Sequence, residues 1–359
     1  MVRTLARDPA PAHLIAVPLA PVLLVSDPAL IRQALLVDGD RWARVPGGLG
    51  EGALSLSGGG AMHAGPLIST LIEAVDVLAE RWEGVARAGG TVELLWELGA
   101  SVLSALVARR GATLGAVEAR AWIDAARAAE DLRFPKAMAL TSLLGWLPSD
   151  QGRRLAEADI EVARLRGLLG EDAGLAAFIV HGVSLAVAAT LMGLAKAPPL
   201  EAGVRSELKR LGRDAEPSDI AALPGLRGLM RETLRLHPPA WAVERRSLHD
   251  GELAGHKLRA QSRVIFCPWL ANRRPAEWPD PEKFDSERHR GPTLLSLWGG
   301  ALEAHVGEAI AEPLIVLTLA RLLRRFRFKQ LAGNPLVVTA RLRLRIQNAV
   351  KMDCLPAPR

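Results

Sequence analysis

The segment RETLRLHPP, Arg231–Pro239, decides the fold. Glu232 and Arg235 stand three residues apart, so on a helix both head groups leave the same face one turn apart and share partners. The two prolines that follow stop the helix, because proline lacks the amide donor and restricts the residue before it. Further on, WPDPEKFDSERH (Trp278–His289) is a proline-punctuated meander in which the planar fork of Arg288 is placed to close on a glutamate. A lone Glu-x-x-Arg pair is ordinary on a solvated helix. Helix, prolines and meander in this order make Glu232, Arg235 and Arg288 one candidate constellation.

Working outward, the 359 residues are 49% hydrophobic, enough for a substantial core. No repeat, low-complexity linker or domain boundary interrupts them. Residues 1–359 are therefore expected to form a single domain with a helical majority and a sheet-rich portion. The 45 basic and 39 acidic residues leave a formal charge of +6, a mild bias toward acidic partners. The excess is too small and scattered to indicate nucleic acid. Cys267 and Cys354 lie far apart, with neither a disulfide framework nor zinc-ligand spacing, and a reducing, cytoplasmic setting is expected. The apolar opening HLIAVPLAPVLLV is broken by Pro18 and Pro21 and lacks a signal-peptide cleavage pattern. The uncharged run from Gly174 to Ala195 is long enough to span a bilayer. Its His181, Ser184 and Thr190 favour a buried core helix instead, so no membrane partner is expected.

Local patterns fill in the rest. PVLLVSD reads as a strand, with Ser26 or Asp27 capping a helix that has Pro28 in its first turn. In STLIEAVDVLAERWEGVARAGG, Leu71, Ile72, Val75, Leu78 and Trp82 share one helical face, and Gly89-Gly90 ends it. Further helices are expected over Val92–Arg109, Ala116–Leu132 and Gln151–Leu169. HKLRAQSRVIF and ARLRLRI alternate at period two, as half-buried strands do. There is no phosphate-cradling loop, no His-Glu-x-x-His and no serine elbow; GGLGEGALSLSGGG reads as a turn. SLWGGALEAHVGEAIAEPL, Ser296–Leu314, reads as a loop running into a helix, with His305 as its best metal-ligand candidate.

Together these segments resemble the cytochrome P450 family. ETLRLHPPAWAVERRS is similar to its helix K, and FCPWLANRRPAEWPDPEKFDSERH to the following strand and meander, with Glu232, Arg235 and Arg288 as the family's Glu-Arg-Arg triad. VSDPALIRQALL, GALSLSGGGAMH and LARLLRRFRF resemble other parts of the family fold. The resemblance implies a mainly α protein with small β-sheets, the cytochrome P450 fold, and a haem b.

The family's haem loop, Phe-Gly-x-Gly-x-Arg-x-Cys-x-Gly, falls on Trp298 to Gly307. The resemblance keeps Trp298, Gly299 and Gly307 as loop residues and puts His305 at the iron-ligating cysteine. It puts Glu303 where an arginine pairs with a propionate, and Ala301 at the second glycine. His63 matches the helix C histidine, but Leu67 stands at its arginine. Arg245 remains as a propionate partner. The oxygen-activating helix offers only His181 and Ser184 as weak catalytic candidates, because neither register supplies an acid followed by threonine.

A thiolate pushes electron density through haem iron and favours O–O cleavage; a neutral imidazole does so less, unless a nearby carboxylate such as Glu303 or Glu308 makes it more basic. The expected function is accordingly a His305-ligated haem protein, an oxidoreductase of the monooxygenase family acting on a small organic molecule, with ordinary hydroxylation disfavoured. Arg321, Arg324, Arg325, Arg327 and Lys329 suggest a basic face for an acidic electron-transfer protein. The alternative is a haem-free relative, either a partner enzyme's auxiliary subunit of the kind that serves glycosyltransferases, or a haem-independent enzyme.

Overall fold

The computed structural model describes residues 8, 10–15, 21–45, 48–49, 64–138, 150–290 and 306–358. Along the chain, β1 (Ala12–Ile15), β2 (Val22–Val25), α1 (Pro28–Arg32) and β3 (Trp42–Arg44) come first. Next are α2 (Ala64–Arg87), β4 (Thr91–Glu93), α3 (Leu94–Ala108), α4 (Ala116–Met138) and α5 (Asp150–Leu169). The middle holds α6 (Ala173–Leu194), α7 (Pro198–Leu211) and α8 (Pro224–Leu236). The last part has β5 (Val243–Ser247), β6 (Gly251–Leu253), β7 (His256–Leu258), β8 (Arg263–Phe266) and α9 (Glu312–Arg325). The chain closes with β9 (Phe326–Gln330), β10 (Val338–Ala340), β11 (Leu344–Ile346) and β12 (Lys351–Pro356).

Helices dominate, as expected, and the strands make one larger and several small sheets. The larger runs β1-β2-β8-β5-β3, with β2 and β8 parallel and the other pairs antiparallel. Its apolar face packs Leu23, Val25, Val243, Val264 and Phe266 with Ile31 of α1. The Asp27 carboxylate accepts from the amides of Ala29 and Leu30 at 2.9 and 3.0 Å, so the sequence-read cap is made, with Pro28 in the first turn. α2 buries Leu71, Ile72, Val75, Leu78 and Trp82, and Gly89 takes φ +65° just beyond its end. That left-handed turn is where glycine costs least.

One expected helix is shorter than its pattern suggests. Residues 91–93 pair with β12 as β4, and α3 begins only at Leu94. Glu93 makes the break: its carboxylate accepts from the Trp96 amide at 2.6 Å and from the Val350 amide at 2.9 Å, tying the helix start to the neighbouring strand. The helix pattern in the sequence is not wrong in period, but an edge partner far along the chain takes its first turn.

α6 is the axis of the core. Only Ala177, His181 and Gly193 keep appreciable surface along it, and α3, α8 and α9 pack around it. It is long and apolar enough to cross a membrane, yet here its apolar side chains lie inside the protein. Thr190 is satisfied locally: it donates to the Ala186 carbonyl at 2.7 Å and bonds Thr233 of α8 at 2.9 Å.

Candidate functional site

The Glu-x-x-Arg helix is α8, and both side chains are wholly buried. Arg235 grips Glu232 with Nε and Nη2, each at 2.8 Å, in the two-pronged geometry that makes guanidinium–carboxylate pairs strong. Its Nη1 donates to the carbonyls of Asn272 and Pro281 at 2.8 Å, and Trp278 lies 5.2 Å from its centre. Arg288 arrives from the meander with Nε 3.3 Å from Glu232 Oε1, close enough for charge attraction but out of line for a hydrogen bond. Its Nη groups hold the carbonyls of Pro279 and Lys283. The Asp285 amide adds a 2.9 Å bond to the same carboxylate. One helix glutamate thus pins a meander whose prolines leave few backbone bonds of its own.

Beyond the meander, His63, Trp298, Gly299, Glu303 and His305 lie outside the described residues. Val306 and Gly307, directly after His305 in the chain, are buried, and a wide helical turn, Gly307–Ala311, leads into α9 against α6. Glu308, a suggested partner for the His305 ring, is exposed and lines an open groove with Arg227 and Glu312. Arg245 is buried on β5, with Nη1 on the Glu244 carbonyl at 2.9 Å. Leu67 is buried in the apolar core of α2.

The two candidates on α6 take separate surroundings. His181 bonds the Leu344 carbonyl through Nε2 at 2.9 Å. A carbonyl only accepts, so Nε2 carries the proton. Desolvation, followed by the charges of Arg343, Arg345 and Arg127, holds the imidazole well below its ordinary range and neutral, although the residue keeps some surface. Ser184 lies beside Gly99 of α3, its buried hydroxyl without a partner among the described residues. Neither is joined to an acid. Cys267 and Cys354 are free and buried, with both thiols pushed up to about 12, first of all by burial. Neither thiol is a thiolate at neutral pH.

In the basic run the arginines of α9 are half-buried against acids and carbonyls, while Arg327 and Lys329 on β9 are exposed. Arg321 pairs with Asp214 at 2.7 Å, Arg325 with Asp76 at 3.3 Å and Arg327 with Glu201 at 3.6 Å, while Arg324 holds the carbonyls of Gly212 and Arg213. Alternation of charge in a helix-to-strand sequence does not reveal such partners, because they come from α2, α7 and the turn after α7.

A pocket that the sequence did not single out opens beside His181. It lies between α3, α4, α6 and the β10–β11 hairpin, and Arg127, Glu130, Arg343 and Arg345 line it. One signal was present: in ARLRLRI the arginines recur at every second position, which on an extended chain puts them on one side.

Helical core, mixed sheet and a meander pinned by a buried Glu-Arg pair define a P450-type scaffold. The sequence profile of the cytochrome P450 family matches residues 180–294, from α6 through the meander. A sterol 14alpha-demethylase of Mycolicibacterium vanbaalenii is 32% identical over 151 residues, covering 39% of this chain and 33% of that protein. A trans-cinnamate 4-monooxygenase of Glycyrrhiza echinata is 28% identical over 214 residues, covering 54% of this chain and 42% of that protein. The alignments therefore span less than half of either relative. A zebra fish cytochrome P450 solved with progesterone shares the fold with a TM-score of 0.76 at 19% identity, covering 99% of this chain and 98% of that one. A further cytochrome P450 crystal structure gives 0.75 at 17% identity, covering 99% and 97%. The chain has the cytochrome P450 fold, and its segment 180–294 carries the sequence pattern of that family.

The family's prosthetic group is haem. The described residues suit it in two respects: Val306, Ile310 and Ala311 offer buried apolar surface beside α6, and Arg245 offers a buried cation for a propionate. Leu67 offers the second propionate no charge.

Proposed function

We propose that this chain is a b-type haem protein of oxidoreductase character that acts on a small organic molecule, with His305 as the axial iron ligand. The observation that carries this reading is the buried start of the final long helix at Val306–Gly307 against α6, directly after His305. Arg245 would hold one propionate, and Gly307 would shape the loop; His63, Trp298 and Gly299 keep the roles that the family resemblance implies. When bound, the haem would supply an iron centre for redox chemistry on the substrate. The protein's own residues constrain that chemistry. α6 has no acid–hydroxyl pair to deliver protons, and the neutral His181 is held on the Leu344 carbonyl, so proton delivery of the ordinary hydroxylating kind has no side-chain relay on this helix. A reducing, cytoplasmic setting is part of the proposal, supported by two free, buried cysteines.

The test is ligand exchange. His305→Cys should retain haem and move the reduced carbon monoxide spectrum toward the thiolate type, whereas His305→Ala should lose most of the haem. Equal haem content and an unchanged spectrum in both variants would mean that His305 is not the ligand.

A second reading has its own observation. Leu67 is buried among apolar neighbours where the family carries a cation, and Glu303 replaces another cation by an anion, as a protein that has given up haem would allow. Such a chain would be a haem-free auxiliary partner of another enzyme, of the glycosyltransferase-associated type, or a haem-independent enzyme. Haem stoichiometry after reconstitution separates the two.

A further inference from the structure

The pocket beside His181 has an unbalanced charge. Arg343 faces Glu130 at 3.9 Å, while Arg345 and Arg341 share Asp131 at 2.5 and 3.0 Å. Arg345 also donates to the backbone carbonyl of Arg127 at 3.0 Å. The guanidinium of Arg127 itself has no ion pair or hydrogen bond with a described residue, and only Asp124 and Glu93 attract it at longer range. Neither closes on it directly, because the Glu93 oxygens accept from the amides of Trp96 and Val350 and Asp124 is paired with Arg120 at 2.6 Å. His181 adds no negative charge. Trp122, on the same wall, carries a buried indole N–H without a partner among the described residues. The remaining lining is aliphatic, from Leu95, Ile123, Val180, Leu185 and Ile346.

An apolar cavity with one part-buried guanidinium whose fork has no direct partner among the described residues is a poor place for a neutral hydrocarbon and a good one for an amphiphile whose anionic end meets the fork. We propose that this pocket binds an apolar molecule carrying a single carboxylate, with the carboxylate on Arg127 and the hydrocarbon against α3, α4 and α6. Desolvation and the charge of Arg345 lower the pKa of Arg127, with Asp124 and Glu93 offsetting them in part, and a carboxylate bound to the charged fork would relieve the remaining repulsion. The inference rests on the small-molecule part of the proposed function but not on haem.

Titration calorimetry on the purified full chain tests it, with octanoate, decanoate and dodecanoate as probes and methyl decanoate as the uncharged control. At least one of the acids should bind saturably with one site per chain, and the methyl ester at least tenfold more weakly. Arg127→Gln should weaken acid binding at least tenfold while leaving the melting temperature near that of the parent. Arg127→Lys, which keeps the charge but not the fork, should fall between them and serves if the glutamine form misfolds. Saturable binding by none of the acids, equal binding of the ester, or full affinity in both Arg127 variants would overturn the proposal. Because the readout is binding, a haem-free protein tests it equally well.

Discussion

Glu232 is the residue on which the meander depends. It meets Arg235 through two bonds, Arg288 at 3.3 Å and the Asp285 amide, and it is wholly buried. Glu232→Gln would strand two guanidinium groups without a counter-charge and should cost about 3–5 kcal/mol in urea unfolding. Arg288→Ala should cost less, about 1–2 kcal/mol, because it removes one off-line contact and two carbonyl bonds near the surface while the Arg235 clasp remains. A loss in Arg288→Ala as large as that in Glu232→Gln would show that the weight of the cluster rests on the meander arginine instead. At this scale the sequence spoke clearly, since residue order and spacing named all three members. It was silent on Arg127, whose significance comes from having no direct partner among the described residues, a property of three elements meeting in space. Glu303 supplies a second residue-scale prediction. If it repels a haem propionate, Glu303→Arg should slow haem loss to apomyoglobin at least tenfold; an unchanged rate would remove Glu303 from the account.

Among elements, α6 was the most legible, for an uncharged run with scattered hydroxyls describes a core helix. The β4 strand was not, because Glu93 spends its cap on a distant strand and no local pattern records that. The contacts around α6 and α8 also set a pH response. His181 is held well below its ordinary range, and burial, then Arg273 and Arg235, hold His237 at the end of α8 down to about 4. Between about pH 6.5 and 4 the unfolded chain therefore takes up protons that the folded chain refuses. Stability is retained above about pH 6.5 and should fall as pH drops through that window. Allowing for partial exposure, the fall should be on the order of 1 kcal/mol per pH unit. Thermal melts from about pH 7 to 5 should show it, and His237→Asn should flatten the slope; the same slope in that variant would take His237 out of the response.

For the whole molecule, the fold was readable because its markers are local motifs in a fixed order, and residues 180–294 carry the densest of them. The partners of the basic run were not, since the arginines of α9 meet Asp76 and Asp214, and Arg327 meets Glu201, only after folding. The proposed function turns on His305 as the iron ligand, and the absorption spectrum of the reduced carbon monoxide complex reads that residue most directly. Protein expressed with ample haem should show a Soret band at the position typical of imidazole-ligated haem, with about one haem per chain. A thiolate-type band, or no Soret band even after reconstitution with haem, would contradict the account, and the second result would favour the haem-free reading.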